Sequence, residues 1–175
     1  MDWYLTVFET IDMRSFSNLW FWIGLAVVWS SASHWVLGVP YDMVSRAKRH
    51  GGQAEDDLSN MLRITSTRLI YIADEAGLLI VSVGMFLLTG CLVLGFFYAV
   101  EIAQAVFLLA LPMTIVSLLN MRMARRLHSR DCTMDEVYAV LARHRVTVQF
   151  IGMLSIFVTA LWGMYQNLSL GALGG

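Results

Sequence analysis

Long uncharged apolar runs alternate along this chain with two short basic segments. Leu19 to Val39 carries no charge other than a titratable one at His34, and Pro40 ends it. Gly77 to Val100 holds no ionisable group except Cys91 and Tyr98. Ile102 to Met121 is uncharged and stops at Arg122, and Val146 to Leu173 is uncharged throughout. A helix needs about 20 apolar residues to cross a hydrocarbon core of ~30 Å. Backbone amides in lipid must be satisfied within the segment, which makes helix the default. The pattern predicts an all-α polytopic membrane protein with four transmembrane helices, at about 19–39, 77–98, 103–121 and 146–166. They form one transmembrane domain over residues 1–175, with polar segments at 40–76 and 122–145.

Only Glu101 separates the second run from the third, and together they are far too long for one crossing. The chain must therefore turn back between Phe97 and Gln104, where Glu101 and Gln104 supply the polarity and Glu101 is read as a solvated loop residue. Pro112 falls inside the third span, where it is expected to kink the helix.

Charge orients the bundle. Arg46, Lys48, Arg49, Arg63 and Arg68 lie between spans one and two, and Arg122, Arg125, Arg126, Arg130, Arg143 and Arg145 between spans three and four. These are eleven of the twelve basic residues, Arg14 being the other. The positive-inside rule puts both segments in the cytoplasm and both termini outside. The aromatic residues Trp3, Tyr4, Trp20, Trp22, Phe96, Phe97, Tyr98, Trp162 and Tyr165 cluster at the outer boundary, as an interfacial belt does.

The polar segments carry their own helical patterns. After the break His50-Gly51-Gly52-Gln53, apolar residues at Leu58, Met61, Leu62, Thr65, Leu69 and Ile72 recur near helical spacing, so a cytoplasmic helix should run into span two. Thr133-Met134-Asp135-Glu136 is a capping-box pattern that should start a second extension, leading into span four. Residues 1–16 place Trp3, Val7, Phe8 and Ile11 on one helical face, which predicts an interfacial helix on the outer surface. No basic n-region precedes the first apolar run, so a cleavable signal is not expected.

Composition agrees: 58% of residues are hydrophobic, 14% are charged, and the mean hydropathy is +0.64. A soluble domain has about 45–50% apolar and about 25% charged residues.

Few residues suggest chemistry. His34 is the only histidine within a span. One chain with one intramembrane histidine cannot build a bis-histidine haem site, though a symmetric oligomer could; the alternative is a hydrogen bond to another helix or a contact at the interface. Asp74 and Glu75 are adjacent carboxylates at the inner mouth of span two. They could hold a cation or relay protons, or pair with Arg68 or a basic residue of the other cytoplasmic segment. His34, Asp74 and Glu75 are thus the candidate polar site. His128, Cys132 and His144 have the spacing H-x3-C-x11-H, which is no compact zinc pattern. Cys91 and Cys132 fall on different levels, so no disulfide is expected. Nucleophile motifs, phosphate loops and paired catalytic carboxylates are absent from the sequence. No catalytic residue, metal site or cofactor is therefore assigned, and an enzyme is not expected. Gly152, Ser155, Thr159 and Gly163 recur at spacings of three and four, as a helix-packing or partner face would. Ala26, Ser30 and Ser33 make a similar stripe in span one, and span two carries Gly77, Gly84, Gly90 and Gly95.

The stretch MDWYLTVFETIDMRSFSNLWFW, then SSASHWVLGVPYDMV followed by a basic patch, resembles a group of small bacterial inner-membrane proteins labelled "component of SufBCD complex". The resemblance is clearest over the first 50 residues and assigns no functional positions. It implies a bacterial inner (plasma) membrane location, in which the termini that the charge distribution places outside are periplasmic. It also implies an association with cytoplasmic iron–sulfur assembly proteins, for which the cytoplasmic rims would be the docking surface. Three readings follow. The leading one is a non-enzymatic accessory, scaffold or assembly subunit that binds other membrane subunits or itself, with no nucleic-acid partner. The others are an oligomeric ion channel or small-solute transporter lined by Asp74, Glu75 or His34, and a haem or quinone redox subunit.

Overall fold

The computed structural model describes residues 16, 18–129 and 133–172. The expected interfacial helix with Trp3, Val7, Phe8 and Ile11 lies outside these residues, as do Arg14, Arg130 and Cys132. Five helices and one small hairpin make up the described chain: α1 (Leu19–His34), β1 (Trp35–Val36), β2 (Val39–Pro40), α2 (Tyr41–His50), α3 (Gln53–Leu92), α4 (Glu101–His128) and α5 (Met134–Ala172). Three helical stretches are long and apolar enough to cross a membrane: Gln53–Phe97, Glu101–His128 and Met134–Leu168.

The first apolar run departs from expectation. Helix α1 begins at Asn18, whose side chain accepts from the Trp20 N–H, and ends after 16 residues at His34. At 1.5 Å per residue it measures about 24 Å. The expected continuation to Val39 is instead an antiparallel hairpin pairing Trp35 with Pro40 and Val36 with Val39. Its turn residues Leu37 and Gly38 both have positive φ, 53° and 74°, which a two-residue I′ hairpin requires. A Cβ at Gly38 would stand 2.8 Å from Thr65 Cγ2, so the close approach to α3 also needs glycine. Leucine disfavours this backbone region. Its side chain, 2% exposed, is held in the core that opposes that cost.

That core lies at the basic end of the molecule. Val36, Leu37 and Val39 of the hairpin meet Val44 and Ala47 of α2, Leu58 and Leu62 of α3, Met123 and Ala124 of α4, and Val137, Tyr138 and Leu141 of α5. Helix α2 buries Val44 and Ala47 in it, packs Tyr41 and Met43 against it, and leaves Asp42, Arg46, Lys48, Arg49 and His50 exposed. Gly51 and Gly52, both at positive φ, close α2 and let the chain reverse into α3. Glu55 and Asp56 in the first turn of α3 complement its dipole. The two helical extensions are present. Helix α3 runs unbroken for 40 residues from Gln53 to Leu92. Glu136 Oε2 accepts from the Thr133 N–H at 3.3 Å, the carboxylate half of a capping box, at the start of α5.

Beyond this lobe the packing thins. Leu25 and Trp29 of α1, Val116 of α4 and Val148 of α5 form a small second core. The most apolar stretch of Gln53–Phe97 has 0% of its residues buried, against 28% in each of the other two candidate spans. Helix α3 opens into a π-helical turn at Val93–Phe97, and the chain reverses through Tyr98, Ala99 (φ 55°) and Val100. The turn therefore falls inside the expected 97–104 interval, while Glu101 and Gln104 are helical. Helix α4 continues through a buried Pro112.

Candidate functional site

Two polar clusters sit at opposite ends of the bundle. At the turn end, Gln104 is 2% exposed. Its Nε2 donates to the Gly95 carbonyl at 2.8 Å. Its Oε1 accepts from Trp162 Nε1 at 2.9 Å and from Gln166 Nε2 at 2.6 Å. One side chain thus joins the end of α3, the first turn of α4 and the last turns of α5. The approach is close because Gly95 has no Cβ: one built there would stand 2.9 Å from the Gln104 nitrogen. Beside the cluster, Phe96 meets Phe107 edge-to-face and Trp162 at a tilt. Glu101 is also not the solvated loop residue the sequence suggests. It is half-buried, opens α4, and its Oε1 accepts from the Phe16 N–H at 2.9 Å. Trp22 Nε1 then donates to the Phe16 carbonyl. The α1 entrance is thereby fastened to the α3–α4 turn.

At the basic end, Asp74 accepts from Arg125 Nη2 at 3.2 Å, joining α3 to α4. Arg125 belongs to the second basic segment, with which the sequence offered a pairing as one of two readings of this carboxylate. Glu75 is exposed beside it. His34 is exposed and lies 3.6 Å from Asp42, at the mouth of α2, with its ring edge-on to Trp35. No hydrogen bond or ion pair joins His34 to Asp74 or Glu75, so the three candidate residues do not form one site.

His144 is half-buried, and its Nε2 faces Asn120 Oδ1 at 2.7 Å, which places the proton on that nitrogen. Burial lowers its pKa below the usual histidine value. His128 is exposed, and Cys132 lies outside the described residues. Among the described residues no three His, Cys, Asp or Glu side chains come together. Arg145 stacks its guanidinium 3.9 Å above the Tyr41 ring, tying α5 to α2.

The stripe Gly152, Ser155, Thr159 and Gly163 is covered by this chain's own residues. A Cβ at Gly152 would stand 2.8 Å from Trp29 Cε3, and one at Gly163 would stand 3.2 Å from Phe16. Thr159 is 1% exposed, and its hydroxyl donates to the Ser155 carbonyl. The Trp29 indole N–H and the Ser155 hydroxyl are buried without a hydrogen-bond partner among the described residues. By contrast, Gly84 and Gly90 of α3 face open space, and Gly77 meets only the Ala73 Cβ at 4.0 Å.

Sequence reasoning missed Gln104, although a trace of it was available: Glu101 and Gln104 lie one turn apart, as do Trp162 and Gln166. The Gly-Val-Pro sequence at 38–40 likewise marks a turn. No protein-family model, curated protein or solved structure matches this chain.

Proposed function

We propose that this chain crosses the membrane four times, with both termini outside and the basic lobe in the cytoplasm, and serves as a non-enzymatic accessory or scaffold subunit of a larger membrane complex. The observation that carries the reading is the bare apolar length of α3. No residue of its most apolar stretch is buried by the described rest of the chain, and an apolar surface left so exposed requires lipid or another membrane subunit against it.

Further features support the crossing number. Helix α1 is short, yet it runs antiparallel along α5, with Phe16 at Gly163 and Trp29 at Gly152. It therefore traverses the same layer as a helix long enough to span. The distribution of basic residues supports the orientation. The lobe built from the hairpin, α2 and the extensions of α3, α4 and α5 is well packed, which suits a docking platform. The resemblance to small bacterial inner-membrane proteins points to iron–sulfur assembly proteins as the cytoplasmic partner.

Two experiments test the proposal. Native electrophoresis after mild solubilisation should find the chain in a particle much larger than 19.7 kDa plus its detergent; migration as an isolated small particle removes the accessory reading. A compartment reporter fused behind Gly175 should report the outer side, and a cytoplasmic signal there removes the topology.

A further inference from the structure

We propose that the cleft between the end of α4 and the start of α5 is a binding site for a phosphate-bearing anion, with the phosphate of an anionic lipid headgroup as its source. Arg122 and Arg126, one turn apart on α4, and Arg143 on α5 line one concavity of about 280 Å³. Met123 and Val140 form its apolar floor and His144 one wall. All three arginine side chains are exposed. The described ion pairs are His34–Asp42 and Arg125–Asp74, so none of the three has a carboxylate partner among the described residues.

Three guanidinium groups with no carboxylate partner among the described residues repel one another around one open cleft, and an anion inside relieves that repulsion. The planar donor fork of arginine matches phosphate oxygens two at a time. The volume lies below the ~300–1,000 Å³ of pockets that enclose a drug-sized ligand, which suits a headgroup phosphate and its nearest atoms rather than a nucleotide. The wall does not oppose the charge: burial holds His144 toward its neutral form, with its Nε2–H turned to Asn120.

Position selects the source. Arg122 directly follows the apolar run that ends at Met121, and Arg143 stands three residues before the run that begins at Val146. The cleft therefore opens at the level where a cytoplasmic leaflet presents its phosphates. Basic pockets between transmembrane helices at this level hold anionic headgroups. The lipid source rests on the membrane reading above, whereas the phosphate chemistry of the cleft does not.

The test uses the full chain, purified, stripped of lipid and placed in nanodiscs of phosphatidylcholine with or without phosphatidylglycerol. Retained lipid is counted by native mass spectrometry. The wild type should retain phosphatidylglycerol over phosphatidylcholine. The triple variant Arg122→Gln, Arg126→Gln, Arg143→Gln should lose at least about tenfold of that retention. The charge-matched triple Arg46→Gln, Lys48→Gln, Arg49→Gln on exposed positions of α2 should keep it. Arg126→Glu alone, a single exposed substitution, should abolish it and serves if the triple does not fold.

Retention unchanged in the cleft variants, or lost equally in the α2 variant, overturns the proposal. Titration with inorganic phosphate separates the sources. Binding of millimolar inorganic phosphate by the lipid-free protein through these arginines, with no preferential retention of phosphatidylglycerol, supports the cleft chemistry and overturns the headgroup as its source; preferential retention of phosphatidylglycerol through the same arginines supports the headgroup. If the chain does not enter bilayers but still binds phosphate through these arginines, the membrane reading fails and the cleft stands. Insertion with arginine-independent retention does the reverse.

Discussion

Replacing Gln104 by leucine is the most direct probe of how the turn end is held together. The two side chains are similar in size, so the substitution leaves little cavity and mainly deletes polar contacts. Three hydrogen bonds disappear: one to the Gly95 carbonyl at 2.8 Å and two from Trp162 and Gln166 at 2.9 and 2.6 Å. Hydrogen bonds between membrane helices average about 0.6 kcal/mol and reach about 1.7 kcal/mol. The expected loss is therefore about 2 kcal/mol, rising toward about 5 kcal/mol if every bond is at the strong end. Even the lower figure changes an unfolding equilibrium roughly thirtyfold. Denaturant titration of the purified protein in detergent, followed by Trp fluorescence, would read it. A double-mutant cycle with Trp162→Phe isolates the bond to the indole. Because both variants remove the same contact, the pair should be less destabilising than the sum of the singles by about 0.5 kcal/mol or more. Additivity within about 0.3 kcal/mol would show that Gln104 and Trp162 do not interact, and the joining of α3, α4 and α5 through one amide would be refuted.

Other perturbations have signs set by the geometry. Gly152→Ala drives a Cβ to 2.8 Å from the Trp29 ring and should destabilise by about 1–3 kcal/mol through overpacking. Gly84→Ala faces open space and should be neutral or stabilise by up to about 1 kcal/mol; the same denaturant titration compares the two. His144 lies outside the apolar stretch 146–166, and its pKa in the fold is lowered by burial, so the unfolded chain binds its proton more readily. Its contribution to stability is fully present above the ordinary histidine value of about 6.5 and is lost as pH falls through the lowered one. His144→Gln should flatten the decline in stability measured from pH 7.5 down to pH 5, and an unchanged slope would count against the buried neutral ring. Asp74→Asn breaks an exposed pair with Arg125 and should cost less than about 1 kcal/mol by the same measurement.

The long helices, their extensions and the ends of several elements are legible in the residues because each follows from local chemistry. Uncharged runs near Gly77–Val100, Ile102–Met121 and Val146–Leu173 must be helical wherever backbone groups lack water. The spacing of Leu58, Leu62 and Leu69 carries α3 back beyond its apolar part. Glu136 caps α5 from three residues along the chain, and the small residues from Gly152 to Gly163 mark a face of close approach. These signals operate over one or two helical turns, so neighbours in sequence suffice to read them.

Contacts over longer separations were not legible. The apolar residues Val36, Leu37 and Val39 read as the end of a lipid-facing helix, yet they fold into a hairpin whose side chains fill the lobe core. Gln104 reads as polarity where the turn meets span three but is buried through partners 9, 58 and 62 positions away. Asp74 could have met any of several arginines and meets Arg125, 51 residues on. The cleft arginines come from separate helices. Hydropathy records how strongly a side chain avoids water; which lipid tail, core residue or hydrogen-bond partner replaces that water is settled when distant segments pack together.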